Sequence, residues 1–199
     1  MNWVHQSYII DWQDYGGTGN TGCMDISREF GDRLDSYIGK KRSVSVGIFG
    51  SFYRYGLLAS LRDHVADHGY PACLSPDLEK RFFRGEGEDE DVYNFRISRD
   101  LIDASSICIF VIFKGKTGEE NINQSVSQEV QYLYDQQASG KRRSPPRVLV
   151  IVEDGCKPAS LFKGLVKACR PRWNEAPFLT CDDLLMAGRQ FCGNVMAED

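Results

Sequence analysis

The stretch Asn123-Gln124-Ser125-Val126-Ser127-Gln128-Glu129 packs an amide, two hydroxyls and a carboxylate into seven residues. It follows an apolar strand and a loop, so it is predicted to open a helix, with Glu129 in the first turn and Ser125 or Ser127 as N-cap. A carboxylate there can complement the positive end of the helix dipole. It can also face a ligand, as a nucleophile or as the partner of a developing positive charge. A second segment, Gly50-Ser51-Phe52-Tyr53-Arg54, runs straight out of the first strand. Gly50 lets a ligand approach the backbone, Ser51 can hydrogen-bond, and the helix start exposes N–H groups to an anion. Tyr53 and Tyr55 can stack on a base and Arg54 can pair with a phosphate. The same residues also suit a tight strand-to-helix turn whose aromatics pack on neighbours, and both readings stand. No Gly-Lys-Ser/Thr ends the segment and no dinucleotide fingerprint is present. Asp77, just beyond the second strand, is placed by topology where it can meet a ribose hydroxyl.

Other chemical groups read more plainly. His64 and His68 lie one helical turn apart, a spacing that can bind a metal, yet no third ligand is evident and a solvated face is expected. Seven cysteines, an odd number without a CxxC pair, fall mostly in apolar segments and read as small hydrophobes in a reducing compartment. No metal site is expected. Lys40-Lys41-Arg42 and Lys141-Arg142-Arg143 read as solubilising loop ends, and Glu86 to Asp91 as a solvated loop leading into a helix.

Alternating elements must position these groups. Val44 to Phe49 is a strand, and Leu57, Leu61 and Val65 mark the helix after it. A short second strand spans Tyr70 to Ser75, and Tyr93, Ile97 and Leu101 stripe the next helix. Ile107 to Phe113 and Val148 to Val152 are apolar without alternation, as strands covered on both faces are. Between them lie the Lys114 to Gln124 loop and a helix carrying Val126, Val130 and Leu133. Leu161, Leu165 and Val166 mark a further helix, Phe178 to Thr180 a last strand, and Leu184 to Phe191 a closing helix. This succession predicts an α/β fold, a flavodoxin-like three-layer sandwich whose five-stranded parallel sheet has the order 2-1-3-4-5. In such a sheet ligands sit at the carboxyl ends of the strands where the order reverses, between the first and third strands. Both segments above converge there.

Residues 1–43 differ in character. An aromatic and polar stretch ends in a glycine cluster, and Ile26, Phe30, Leu34 and Ile38 then form one apolar helical stripe. The expected division is an N-terminal arm with an amphipathic helix over 1–43 and the α/β domain over 44–199. With 24 Lys+Arg against 28 Asp+Glu the net charge is -4, which argues against a protein built to grip nucleic acid. No apolar run approaches the roughly 20 residues of a membrane span, and no signal peptide is evident, so a cytoplasmic location is expected.

The order of these motifs resembles two related groups, nucleoside 2-deoxyribosyltransferase-like proteins and TIR-domain proteins. A group of archaeal proteins without an assigned activity is similar over the same stretch. The transferases end their first strand in Gly-Pro-Phe or Gly-Pro-Tyr, where this chain has Gly50-Ser51-Phe52. They place Asp-Ala-Asp before the central strand, against Asp103-Ala104-Ser105 here, and then carry Asp-x-Gly-Thr-x-x-Glu, whose spacing Asn123 to Glu129 keeps. The resemblance spans about Val44 to Val152, with Asn123 in place of Asp and Ser125 in place of Gly. It implies cleavage of an N-glycosidic bond in a nucleoside, a nucleotide or NAD, with NAD as substrate and no cofactor. Glu129 would be the catalytic carboxylate, Gly50, Ser51, Phe52, Tyr53, Arg54 and Asp77 would line the ligand pocket, and Asn123 and Ser125 would orient the sugar. By the same analogy the chain is expected to form homo-oligomers. The rival expectation is a non-catalytic module that senses a nucleotide or binds a partner protein.

Overall fold

The computed structural model describes residues 45–78, 84–115, 123–140, 144–158, 160–169 and 172–198. The expected arm over 1–43 lies outside the described residues. Five parallel strands form one sheet in the order β2-β1-β3-β4-β5: β1 (Val46–Gly50), β2 (Ala72–Cys73), β3 (Ile107–Ile112), β4 (Arg147–Glu153) and β5 (Trp173–Phe178). This is the predicted order. Among the described residues, five helices lie between or after the strands: α1 (Tyr55–Asp67), α2 (Glu90–Ala104), α3 (Gln124–Ala138), α4 (Ser160–Ala168) and α5 (Cys181–Glu198). None of the described helices is long and apolar enough to cross a membrane.

The sheet divides two cores. Val46, Ile48, Ile107, Ile109 and Val111 face α1 and α5, joined by Leu58, Leu61 and Leu184. Cys108, Phe110, Ile112 and Val150 face the other way, toward α2, α3 and α4, where Ile97, Val126 and Val130 meet them. Alternate residues of one strand therefore serve opposite layers, which is why β3 and β4 read as unbroken apolar runs. Helix α5 lies close on α1 at Gly188, where an added Cβ would come 2.6 Å from Leu61 Cδ1.

Both edge strands differ from the sequence-based expectation. Only Ala72 and Cys73 of the Tyr70 to Ser75 segment pair with β1, after which Ser75–Leu78 turns as a 3-10 helix. The last strand is Trp173–Phe178, not Phe178 to Thr180. Asn174, Glu175 and Pro177 are exposed along it, so its apolar signal is confined to the ends. Pro177 is tolerated because an edge strand leaves one side of its backbone unpaired.

The closing helix is longer than its apolar stripe. Thr180 Oγ1 accepts from Asp183 N at 3.2 Å while Asp183 Oδ2 accepts from Thr180 N at 2.9 Å, a reciprocal cap that starts α5 at Cys181. Thr180→Ala is expected to destabilise the fold by about 1 kcal/mol, read as a lower denaturant midpoint with unchanged slope. Helix α2 starts in a similar way, on Asp89, whose Oδ1 accepts from Asp91 N and Val92 N. The acidic run before it is internally tied: Arg96 donates to both carboxylate oxygens of Glu88 at 3.1 and 3.0 Å.

Candidate functional site

At the carboxyl edge, the Asn123 side chain ties the residue after β3 to the start of α3. Asn123 Nδ2 donates to Phe113 O at 2.7 Å, and Asn123 Oδ1 accepts from Phe113 N at 3.0 Å. Asn123 holds the N-cap position, yet its side chain makes no capping hydrogen bond. Neither Ser125 nor Ser127 is the cap, which corrects the sequence reading. Ser127 Oγ instead donates back to Asn123 O at 3.0 Å, and Ser125 is exposed. The amide expected to orient a sugar thus spends one donor and one acceptor on the backbone of the sheet.

With the helix starting at Gln124, Glu129 falls in the second turn rather than the first. It stands six residues beyond Asn123, about 9 Å along the axis. Its side chain enters the seam between α3 and α2, where Ser98 Oγ donates to Glu129 Oε1. Ser98 is itself buried. Glu129 keeps some residue surface, but its carboxyl is enclosed, and desolvation pushes it up to about 7 against the opposing pull of the Ser98 hydrogen bond. No cation pairs with it among the described residues. Ser98 was missed in the sequence, since a serine within an amphipathic helix carries no signal until its neighbour across the seam is known.

The segment after β1 divides into an outer and an inner part. Phe52 and Tyr53 are 47% and 50% exposed, so both aromatics are presented at the rim of the crevice. Ser51 accepts from Arg54 N at 3.0 Å through its carbonyl, closing the 3-10 turn. Arg54 lies over the Phe113 ring at 5.4 Å and 3.6 Å from Glu153 Oε1. Tyr55, read as a second stacking residue, instead packs on the α1 core, and burial followed by the Asp77 charge pushes its hydroxyl up. Gly50 has a packing reason for its missing side chain: an added Cβ would sit 2.7 Å from Leu58 Cδ2. Gly50→Ala is expected to destabilise by about 1–3 kcal/mol through overpacking, measurable by chemical denaturation.

Asp77 is also committed internally. Its Oδ1 accepts from Arg62 Nη1 at 2.7 Å and its Oδ2 from Leu74 N at 2.8 Å. The Arg62 and Asp77 side chains are both largely buried, at 7% and 10% exposure. Burial pushes the Asp77 carboxyl up, while Arg62 pulls it down. The pair braces the turn after β2 against α1.

Among the described residues the histidine pair gathers no third ligand. The rings of His64 and His68 lie 4.5 Å apart and His68 Nδ1 bonds to His64 O at 2.7 Å. Among the described residues no three His, Cys, Asp or Glu side chains gather as ligands. An open groove of about 590 Å³ lies elsewhere, between β5 and α5, lined by Asp154, Phe178, Leu179, Met186 and Gln190 among others.

The structure therefore gathers Arg54, Asn123 and Glu153 at Phe113 and the carboxyl end of β3, with Phe52 and Tyr53 exposed on the turn after β1 and Glu129 one layer away between two helices. Compared with known protein families and with curated proteins, the chain matches none.

Proposed function

We propose that this protein cleaves the N-glycosidic bond of a nucleoside, a nucleotide or NAD, with Glu129 as the carboxylate that meets the anomeric carbon. The observation that carries the reading is an enclosed carboxyl held by one serine hydroxyl with no cation among the described residues beside it. Burying such a group without a counter-charge opposes folding, and perturbed acids of this kind concentrate where chemistry uses them. A carboxyl that titrates near neutrality can act in both forms. Ionised, it stabilises an oxocarbenium-like transition state; protonated, it can supply the proton that a purine or pyrimidine leaving group needs. No metal or cofactor enters the scheme.

The test is chromatography of the protein incubated with NAD and a panel of nucleosides and deoxynucleosides, beside Glu129→Gln. Free base released only by the unmutated chain is the expected result. A second reading, a non-catalytic nucleotide-binding or protein-interaction module, draws on the exposed Phe52 and Tyr53 at the rim and on the seat of Glu129 in an interhelical seam. Ligand binding without release of base at high enzyme concentration would select it. Self-association accompanies either reading as a proposal, and a monomer by light scattering would remove it.

A further inference from the structure

We propose that Arg54 and Lys114 form a phosphate site at the carboxyl edge of β1, β3 and β4, where the Glu153 carboxylate is the resident anion that a phosphoryl group displaces. Glu153 ends β4. Its Oε2 accepts from Lys114 N at 2.7 Å, and its Oε1 faces Arg54 Nη1. A backbone N–H and a guanidinium turned to one carboxylate are the donors that recognise a phosphate. The Arg54 contact, at 3.6 Å, is longer than a hydrogen bond. What holds the guanidinium is the Phe113 ring beneath it, so Arg54 is positioned before any ligand arrives. Its planar fork donates no hydrogen bond to a described residue.

The Lys114 ammonium lies beside this pair. The chain reverses after β4 through Gly155, at φ +75°, and a Cβ there would lie 3.1 Å from Lys114 Nζ. That glycine leaves Lys114 room against the turn. Burial and the Glu153 charge push the neighbouring Cys156 thiol up, while Lys163 and Lys114 both pull it down. One guanidinium and one backbone N–H thus face the Glu153 carboxylate, with the Lys114 ammonium at the adjoining turn. Asp154, the adjacent acid, lines the groove beside α5.

Strand parity puts this site on the other side of the sheet from Glu129. Val148, Val150 and Val152 join the α2–α4 core, while Leu149 and Ile151 join the α1–α5 core, and Glu153 continues the second set, as Phe113 does. The phosphate site therefore stands or falls without reference to Glu129.

Calorimetric titration of the full chain tests it with inorganic phosphate, pyrophosphate, AMP and adenosine. AMP is expected to bind about ten- to a hundredfold more tightly than adenosine, the worth of one or two charge-assisted hydrogen bonds. If the cluster takes free phosphates instead, pyrophosphate binds and AMP does not, which still supports the site. Arg54→Gln should remove the binding of whichever phosphate probe is held. Glu153→Gln should tighten it, by about tenfold, because the competing charge is gone. A misfolded variant does not gain affinity, so the opposite signs separate the site from a loss of structure. No binding of any phosphate probe, or unchanged affinity in Glu153→Gln, overturns the proposal. Base release without phosphate preference would defeat this site alone, and phosphate binding without base release would defeat the proposed activity alone.

Discussion

Glu129→Gln is expected to abolish base release and, above pH 7, to make the fold more stable. The two effects share one cause. Enclosure in the α2–α3 seam raises the Glu129 carboxyl from 4.5 to about 7, with the Ser98 hydroxyl opposing the rise. Between those values the folded chain binds a proton that the unfolded chain has lost, so stability falls as pH rises. The loss is complete above about 7, where the carboxylate is ionised in both states and is desolvated only in the folded one. A neutral amide of the same shape escapes that penalty, by up to about 3 kcal/mol for a shift of this size. Below pH 4.5 the two chains should unfold together. Denaturant titrations at pH 4, 6 and 8 would show the divergence, and equal pH dependence in both proteins would mean that the carboxyl is not enclosed as described. Activity carries a second sign. If the ionised form attacks or stabilises the anomeric carbon, base release climbs through about pH 7; if the protonated form serves the leaving group, it falls there. Retained activity in Glu129→Gln at every pH would end the assignment.

Asp77→Ala is expected to act on the fold before it acts on any ligand. Its carboxylate holds Arg62 Nη1 at 2.7 Å and the backbone of Leu74 at 2.8 Å, while the Arg62 side chain is only 7% exposed. Removing one member of a buried pair leaves the other charge without compensation, at about 3–5 kcal/mol. Asp63 also contacts Arg62, at 2.8 Å and on a half-exposed side chain, which points to the lower end of that range. Asp77→Asn keeps an acceptor for Leu74 N and should lose less. Urea unfolding of the three chains measures the order. An intact midpoint in Asp77→Ala, combined with weakened nucleoside binding, would return Asp77 to the ribose-binding role that its place after β2 suggests.

These two carboxylates show where the sequence stops being legible. Glu129 stands out within a short polar segment, and its spacing from Asn123 is readable, yet its environment depends on Ser98, 31 positions away. Asp77 lies at the place the topology predicts for a ligand, but its partner on α1 is already there. The same holds for Arg54. Its position after β1 suggests an anion, and nothing near it in the chain announces Glu153, which reaches it only when β4 takes its place beside β3. Helix N-termini show a milder version. Asn123, Ser125 and Ser127 are all chemically able to cap, and the choice fell to tertiary structure because the Asn123 side chain was needed at Phe113.

Burial patterns determined the rest. Ile107–Ile112 and Val148 to Val152 are apolar at every position, and such runs are stable only when layers cover both faces, so strand and helix alternation already implied a parallel sheet in the order observed. The bounds of the edge strands were less legible: β5 exposes most of its middle, and β2 is two buried residues whose pairing ends where the chain turns as a 3-10 helix. By itself the sequence settled which segments must leave water and with what period, because hydrophobic burial is local and repetitive. Tertiary structure alone decided which polar groups meet, since a contact such as Ser98 with Glu129, or Arg62 with Asp77, depends on how two separate elements are rotated and set against each other.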